Sequence, residues 1–377
     1  MSRSQRSRAL LALAAISIAV AAFGLRWRAL DALPVDYDEP VYLEAAQEIA
    51  GVLRSGNLAG LTETNARPEH PQLMKLLFAI AILPAPDSAP SPRRGSVYHG
   101  GSRLPEAQLV FSRMAASIVG ALEVLLLGWI HPLAGLFLAI HTYTIKYTSL
   151  VMLEAMPALT SLAAVASHVR FKKTRRSRWQ VGSAVLLGLS AAGKYMYAVV
   201  GIAILIDWCL ELRPTVADFL SQSRRMLLWG CGSLLVFLAA YPYLWPDPLT
   251  RLSESVWYHG AYSTGPEVRD ADFPFWQPLA WLTIYMQADA PAERPYLLRV
   301  DPLVTLLALV GMDRLWRKER IWVLWLAVGL LFLLLWDTKW PQYMLLLSAP
   351  LCMAAGEGTG RLLGVLMRAR RAAQRAA

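Results

Sequence analysis

The chain has 377 residues, of which 56% are hydrophobic and only 17% are charged, and its formal net charge is +10. Soluble domains are about 45–50% apolar and about 25% charged, so this composition argues against a soluble enzyme. The basic residues stand in short blocks between apolar runs, not on one face with aromatic side chains between them, so we expect no nucleic-acid partner. The three cysteines lie inside apolar runs without a CxxC pair and are interpreted as small membrane-core residues.

Apolar runs recur along the chain and predict transmembrane helices, because a bilayer crossing needs about 20 mostly apolar residues. In chain order the runs are 9–27, 107–130, 132–149, 150–169, 179–193, 195–209, 226–244, 301–316, 320–337 and 341–358. We therefore expect an all-α polytopic membrane protein with about ten transmembrane helices, forming a single integral membrane domain over residues 1–377.

The first run follows a cluster of arginines and is typical of either a membrane anchor or a secretory signal. It continues into Arg26, Trp27 and Arg28 without a small-x-small cleavage site, which favours an uncleaved anchor.

Blocks rich in Lys and Arg predict the orientation, since short loops that carry them stay in the cytoplasm. They are 171–178, 223–225, 314–320 and 368–375. Ten spans place all four blocks and both termini inside, provided that the chain turns back at Gly193–Lys194. We then expect a bacterial inner (plasma) membrane protein in which residues 28–106 and 245–300 form two outer loops.

Two stretches of the first outer loop are too short to span the bilayer, so we interpret them as helices lying in the membrane interface. Residues 40–54 carry one apolar stripe at helical spacing, and residues 71–84 are apolar around Lys75.

The densest polar group is the sequence DYDEP, which places Asp36, Asp38 and Glu39 directly after the first span. Clustered carboxylates repel one another, which raises a pKa toward values suited to a base, or they hold a divalent metal. The alternative is structural, because Asp38 could cap the helix that follows Pro40. Spacing alone favours the structural alternative.

The segment RPEHPQLMKLL contains Glu69, His70 and Lys75 at the start of the second interfacial helix. A histidine can act as an acid, a base or a metal ligand near neutral pH. Without further context, a histidine that solvates or caps the helix start is the simpler interpretation.

Arg113, Lys194 and Lys339 lie at the edges of apolar runs or inside them. A charge near the bilayer centre costs about 2.5–3.5 kcal/mol, so such a residue tends to have a partner or a task. Snorkelling to the interface explains any one of them, whereas three on the side of the acidic cluster favour a pocket for an anionic lipid headgroup. Lys146 and Glu154 could form an ion pair across the turn between their runs.

The second outer loop is rich in aromatic residues, including Tyr258 beside His259. Trp and Tyr gather at membrane interfaces, which is the default explanation, but aromatic faces also stack on sugar rings. The usual motifs of P-loop nucleotide binding, zinc peptidases and serine hydrolases are missing from the sequence.

Several segments together resemble one family. YDEPVYLEAA and EHPQLMKLL resemble the acidic pair and the HPPLxKLL segment in the first outer loop of protein O-mannosyltransferases, and GLSAAGKYMY, YPYLWPDPLTRL and TKWPQYMLLLSAPL extend the likeness. These enzymes belong to the C-superfold membrane glycosyltransferases, which include the aminoarabinose and lipid-A-core transferases. Gln72 stands where that family usually has proline, and the large luminal insert of the eukaryotic members is missing, which argues against a protein acceptor.

The resemblance implies an inverting glycosyltransferase that moves a sugar from a polyprenyl-phosphate-linked donor to an acceptor hydroxyl of a protein, lipid or glycan, on the non-cytoplasmic side. It implies Asp38 as the base, with Glu39 as an orienting partner or, together with Asp38, as a ligand of Mg²⁺ or Mn²⁺. We assign Arg113, Lys194, Lys339 and Lys75 to the donor phosphate and His70, Tyr258 and His259 to the acceptor or sugar.

Transfer of a sugar from a phosphate-linked donor requires few catalytic groups. The phosphate leaves as a stable anion without a general acid, so one carboxylate base and a few cations suffice. A transporter or flippase for an anionic (glyco)lipid is the alternative, and it predicts charged or broken helices at the bilayer midplane. A non-catalytic subunit that binds a glycan is a third hypothesis.

Overall fold

The computed structural model describes residues 3–93, 104–212, 215–283 and 300–376. Across these ranges the chain is helical, and the only β-pairing within them is an isolated bridge between Pro90 and Pro105. The α-helices are α1 (Arg3–Ala32), α2 (Glu39–Ser55), α3 (Leu73–Ile82), α4 (Glu106–Ile130), α5 (Pro132–Ile140), α6 (Thr142–Tyr147), α7 (Ala155–Thr174), α8 (Ser177–Gly193), α9 (Val200–Cys209), α10 (Val216–Ala239), α11 (Pro248–Ser263), α12 (Pro266–Ala271), α13 (Gln277–Thr283), α14 (Asp301–Glu319), α15 (Ile321–Leu335) and α16 (Leu345–Ala376). The predicted all-α class is confirmed.

Within the described residues, two helical stretches are both long and apolar enough to cross a membrane, Ser7–Ala32 and Glu106–Ile130. Shorter apolar helices occupy Leu73–Ile82, Tyr195–Cys209 and Ile321–Leu335. Large apolar side chains on the bundle surface, such as Leu13 of α1, are exposed in the isolated chain. Such surfaces suit a lipid environment, so the architecture is consistent with a polytopic membrane protein, although the predicted number of ten spans stays a prediction.

The helix predicted over 132–149 is interrupted, and that prediction is wrong. His141 has an extended backbone between α5 and α6, and its Nδ1 lies 3.0 Å from Thr144 Oγ1. Asp301 Oδ1 accepts a hydrogen bond from the backbone N–H of Thr142 at 2.9 Å. Asp301 thus satisfies a backbone N–H at the start of α6, which would otherwise lack a partner inside the bundle. The chain can therefore leave helical geometry at His141.

The second correction concerns the span predicted over 150–169, because α7 begins only at Ala155. Residues 148–154 form a buried, largely non-helical link between α6 and α7. Thr148 Oγ1 and Ser149 Oγ each donate to a carbonyl oxygen four residues earlier. Such local bonds compete with continued helix and help to end α6.

The chain breaks at the predicted point between α8 and α9, where Lys194 adopts extended geometry. Asp207 near the end of α9 accepts a hydrogen bond from Lys172 at 2.6 Å, and Lys172 lies just before the start of α8. Both ends of the α8–α9 hairpin therefore lie on the same side of the bundle.

Basic blocks that were predicted to share one side of the membrane meet in the structure. Lys173 pairs with Glu319 at the end of α14, and Arg320 Nε donates to Asp207 at 2.7 Å. Contacts between blocks 171–178 and 314–320 therefore place them on a common face.

The two predicted outer loops also pack against each other. Gln72 Nε2 donates to the carbonyls of Leu61 and Thr64 at 3.0 and 2.6 Å, while its Oε1 accepts from the N–H of Tyr243 at 3.2 Å. Gln72 thus joins the first outer loop to Tyr243, two residues before the second, a role that proline, with no side-chain polar atom, cannot fill.

Candidate active site

A cavity of about 870 Å³ lies where the two outer segments meet the ends of several helices. Its walls combine acids, cations and aromatic rings, and they are drawn from distant parts of the chain. The residues that line it include Asp36, Asp38, Tyr42, Arg67, Glu69, His70, Lys146, Lys194, Tyr258, His259, Tyr262, Phe332, Trp336 and Tyr343. Five of the nine residues assigned from the sequence line this cavity.

Glu39, the third acid of the predicted cluster, is turned away from the cavity and is completely buried. Its Oε1 accepts from Arg113 Nε at 2.8 Å and from the N–H of Val151 at 2.7 Å. Its Oε2 accepts from Arg113 Nη2 at 2.5 Å and from the N–H of Asp36 at 2.9 Å. Both carboxylate oxygens are therefore occupied by protein donors.

Asp38 stands at the position that precedes α2, yet its side chain makes no capping hydrogen bond. Its carboxylate faces the cavity instead. Burial, followed by the charge of Asp36, raises the pKa of Asp38 to about 7, although Lys194 opposes the shift. A carboxylate with that pKa suits proton transfer at neutral pH.

Asp36 also lines the cavity, and its pKa is raised less than that of Asp38. Burial and the charge of Glu39 raise the pKa of Asp36 to about 6. The two cavity aspartates therefore titrate close to neutrality, in an order set by their surroundings.

Lys194 reaches the cavity from the break between α8 and α9. Its ammonium pairs with Glu154 and lies 4.9 Å from the centroid of the Tyr343 ring. Glu154 Oε1 forms this pair, while the buried Oε2 has no hydrogen-bond partner among the described residues. Lys194 is therefore a mostly buried cation of the cavity wall whose ammonium is paired with Glu154.

Arg67 also lines the cavity, and the sequence assignment missed it. Its backbone is left-handed, with φ of 60°, which is uncommon for a residue with a side chain. The guanidinium lies 3.9 Å from Glu69, and 42% of the side chain is exposed. The family motif begins two residues later at Glu69, and no pattern in the sequence distinguishes Arg67 from an ordinary loop arginine.

Lys75, Arg113 and Lys339 lie behind the cavity walls and do not line them. Arg113 is completely buried, and besides Glu39 it donates to the carbonyls of Leu30, Leu33 and Pro34 at 2.7–2.9 Å. Lys339 donates to carbonyls at the end of α15, including that of Leu334 at 3.4 Å. Their cationic groups are engaged with the protein itself.

Aromatic rings and two histidines form the wall beneath the second outer segment. The ring centroid of His70 lies 5.9 Å from that of Tyr42 and 5.4 Å from that of His259. Tyr258 and Tyr262 stack with an interplanar angle of 8°. Burial is the main cause that lowers the pKa of both His70 and His259, which favours the neutral form of each imidazole.

Within the described ranges, no group of three or more His, Cys, Asp or Glu side chains is arranged to hold a metal ion. Glu39, which was predicted as a ligand beside Asp38, has both oxygens occupied. The predicted Mg²⁺ or Mn²⁺ site stays a prediction, and of its two predicted ligands only Asp38 lines the cavity.

Comparison with known proteins finds similar folds among solved structures. No family model matches the sequence, and neither does any curated protein. ArnT from Cupriavidus metallidurans bound to undecaprenyl phosphate superposes with a TM-score of 0.54 at 14% identity, over 92% of this chain and 60% of ArnT. Its apo form gives 0.60 at 13% identity, over 92% of this chain and 59% of that one. The chain therefore shares its fold with ArnT over 92% of its own length.

A third similar structure extends this fold relationship. The oligosaccharyltransferase AglB from Archaeoglobus fulgidus, in complex with an inhibitory peptide and a dolichol-phosphate, gives a TM-score of 0.52 at 11% identity, over 96% of this chain and 52% of AglB. The chain thus spans about half to three fifths of the length of these proteins. The C-superfold resemblance predicted from the sequence motifs is confirmed for the fold.

Proposed function

We propose that the protein is an inverting glycosyltransferase that moves a sugar from a polyprenyl-phosphate-linked donor to an acceptor hydroxyl. The observation that carries the proposal is the placement of Asp38, with its raised pKa, in one cavity with Arg67 and Lys194. The similarity of the fold to ArnT bound to undecaprenyl phosphate supports a lipid phosphate as the group that meets those cations.

In the proposed reaction, Asp38 accepts the proton of the acceptor hydroxyl as the acceptor oxygen attacks the anomeric carbon. The bond from that carbon to the phosphate oxygen breaks, and its electron pair leaves with the polyprenyl phosphate. Arg67 and Lys194 stabilise the leaving anion by charge-assisted hydrogen bonds, so no general acid is required.

Glu39 and Arg113 hold the acidic loop in place in this proposal. Arg113 binds the carbonyls at the end of α1, and Glu39 accepts the N–H of Asp36. Together they fix the chain on which Asp36 and Asp38 stand, and a base must be fixed within hydrogen-bonding reach of its proton to be effective.

The neutral imidazoles and stacked tyrosines suit the sugar and the acceptor. His259 Nε2 lies 3.1 Å from the carbonyl oxygen of Glu69, and as a donor it fixes the tautomer of its ring. Tyr258 and Tyr262 offer parallel ring faces on which an apolar sugar face can pack. We propose that this wall binds the sugar and the acceptor on the non-cytoplasmic side.

The decisive experiment measures sugar transfer in membranes that carry a labelled polyprenyl-phosphate sugar. Asp38→Asn should abolish transfer while binding of the lipid phosphate persists. Unchanged transfer would overturn the assignment of the base. Transport of the lipid across the membrane without sugar transfer would instead support the flippase alternative.

A further inference from the structure

Lys75 is a completely buried lysine whose surroundings differ from those of the cavity cations. Its ammonium donates to Asn65 Oδ1 at 2.5 Å, to the carbonyl of Ala66 at 2.9 Å and to the carbonyl of Arg67 at 2.8 Å. An ammonium has three protons, so these acceptors use its full donor capacity. No proton of Lys75 remains for a ligand.

All three acceptors belong to the short segment 65–67, and that segment presents Arg67 to the cavity. A non-glycine residue at φ of 60° persists only where its surroundings hold it there. Lys75 donates to the carbonyls of Arg67 and Ala66 and to the side chain of Asn65. It therefore stabilises this left-handed turn from its buried side.

The following residues of the segment are fixed by separate contacts. Tyr241 Oη donates to the carbonyl of Pro68 at 3.1 Å, and Ser255 Oγ donates to that of Glu69 at 2.8 Å. Ser255 belongs to the second outer loop, whereas Tyr241 lies just after α10. The amide of Asn65 donates to Tyr241 Oη at 3.1 Å, so Tyr241 also contacts the segment 65–67. The Arg67 carbonyl accepts from Lys75 at 2.8 Å and from the backbone N–H of His70 at 3.1 Å, so Lys75 is the side chain that ties Arg67 to α3.

We infer that Lys75 is a positioning residue for donor binding, acting on the lipid phosphate only through Arg67. This inference rests on the proposed function, because it assigns Arg67 to the phosphate of the donor. The role inferred for Lys75 differs from the one assigned from the sequence, which was direct binding of the donor phosphate. Here Lys75 is the buried anchor of the turn that carries Arg67, and it makes no contact with the phosphate.

A double-mutant cycle tests the inference, with the dissociation constant of undecaprenyl phosphate in detergent as the readout. Arg67→Gln should weaken binding about 30-fold and Lys75→Met about 10-fold, as expected for losing or misplacing a charge-assisted contact. Because both changes act through one contact, the double variant should bind no more weakly than Arg67→Gln, whereas independent effects would multiply to about 300-fold.

The controls separate positioning from general damage. Lys318→Met removes an ammonium of the opposite face, which binds Glu357, and should leave the dissociation constant unchanged. Thermal unfolding of each variant reports folding. If Lys75→Met does not fold, Asn65→Ala replaces it in the cycle, because this change removes one of the three acceptors of the Lys75 ammonium.

The outcomes are distinct. Failure of the unmodified protein to bind undecaprenyl phosphate overturns the proposed function, and the inference with it. Binding by the unmodified protein together with multiplied losses in the double variant overturns the inference alone, as does unchanged binding in a folded Lys75→Met protein. Loss in Lys75→Met that disappears in the Arg67→Gln background supports it.

Discussion

Glu39 and Arg113 form a completely buried, two-pronged ion pair, with Arg113 Nε and Nη2 at 2.8 and 2.5 Å from the two carboxylate oxygens. The pair joins α2 to α4, and the remaining guanidinium protons bind carbonyls at the end of α1. Three segments that meet at the acidic loop are thus held by one guanidinium.

Arg113→Met should therefore destabilise the protein strongly. Removing one partner of a buried ion pair leaves an uncompensated charge, which costs about 3–5 kcal/mol. The measurement is the unfolding free energy in detergent. Arg317→Met is the matched control, because the Arg317–Asp313 pair is exposed and should contribute about 0.5 kcal/mol or less. Similar losses in both variants would contradict the structural role of Arg113.

The rate of transfer should depend on pH through Asp38. With a pKa of about 7, kcat/KM should rise about tenfold per pH unit below that value and level off above it, because the base must be deprotonated. Asp36→Asn should move the midpoint to lower pH, since the charge of Asp36 contributes to the raised pKa of Asp38. A profile that is flat from pH 5.5 to pH 8 would exclude Asp38 as the base.

Asp38 should also lower stability at neutral pH. Its pKa is higher in the folded protein than the ordinary value of 3.8, so folding favours the protonated form. The stabilising contribution is present at low pH and is lost as the pH rises from 3.8 through about 7. Asp38→Asn should therefore unfold at a higher temperature than the unmodified protein at pH 8 but not at pH 4. An equal shift at both pH values would contradict this.

Gln72→Leu should weaken the contact between the two outer segments. It removes the partners of two carbonyls and one N–H, and each unsatisfied buried group costs about 1–3 kcal/mol. Limited proteolysis of the outer segments and the unfolding temperature are the measurements. Gln180→Leu serves as the control, because Gln180 Nε2 makes an exposed hydrogen bond to the carbonyl of Arg225. Equal protease resistance in all three proteins would refute the role of Gln72.

The proposed orientation is tested with single cysteines in a chain whose Cys209, Cys231 and Cys352 have been replaced by alanine. Gly260→Cys, in α11, should react with an impermeant thiol reagent added outside intact cells, whereas Arg175→Cys should react only after the membrane is opened. The reverse pattern would place the cavity on the cytoplasmic side.

Hydrophobic runs predicted the helices well where the helix ends also followed from local chemistry. Residues 107–130 correspond closely to α4, and the break after Gly193 lies where the parity of the basic blocks required it. The interruption at His141 was not predictable, because it depends on Asp301, a residue far along the chain that satisfies the N–H of Thr142. A local pattern carries no information about such a partner.

The candidate site was predictable only in part, for the same reason. Asp38, His70 and Lys194 belong to segments with a family likeness, and the structure brings them to one cavity. Sequence reasoning assigned Arg113, Lys194, Lys339 and Lys75 together to the donor phosphate, yet only Lys194 of these lines the cavity. A cation such as Lys75 points into the protein when carbonyl oxygens lie close enough to accept its protons. The positions of those oxygens follow from the fold and cannot be deduced from the spacing of residues in the sequence.

The wall formed by Phe332 and Trp336 has a consequence for how a lipid would reach the site. Both residues line the cavity at the end of α15, while Leu331 and Leu335 beside them are exposed on the outside of the bundle. Moving a polyprenyl chain through water costs about 0.8 kcal/mol for each exposed methylene. For the proposed donor, entry beside α15 would bring the phosphate headgroup to the cavity while the hydrocarbon tail stays among the acyl chains of the bilayer, so binding would not transfer the tail into water.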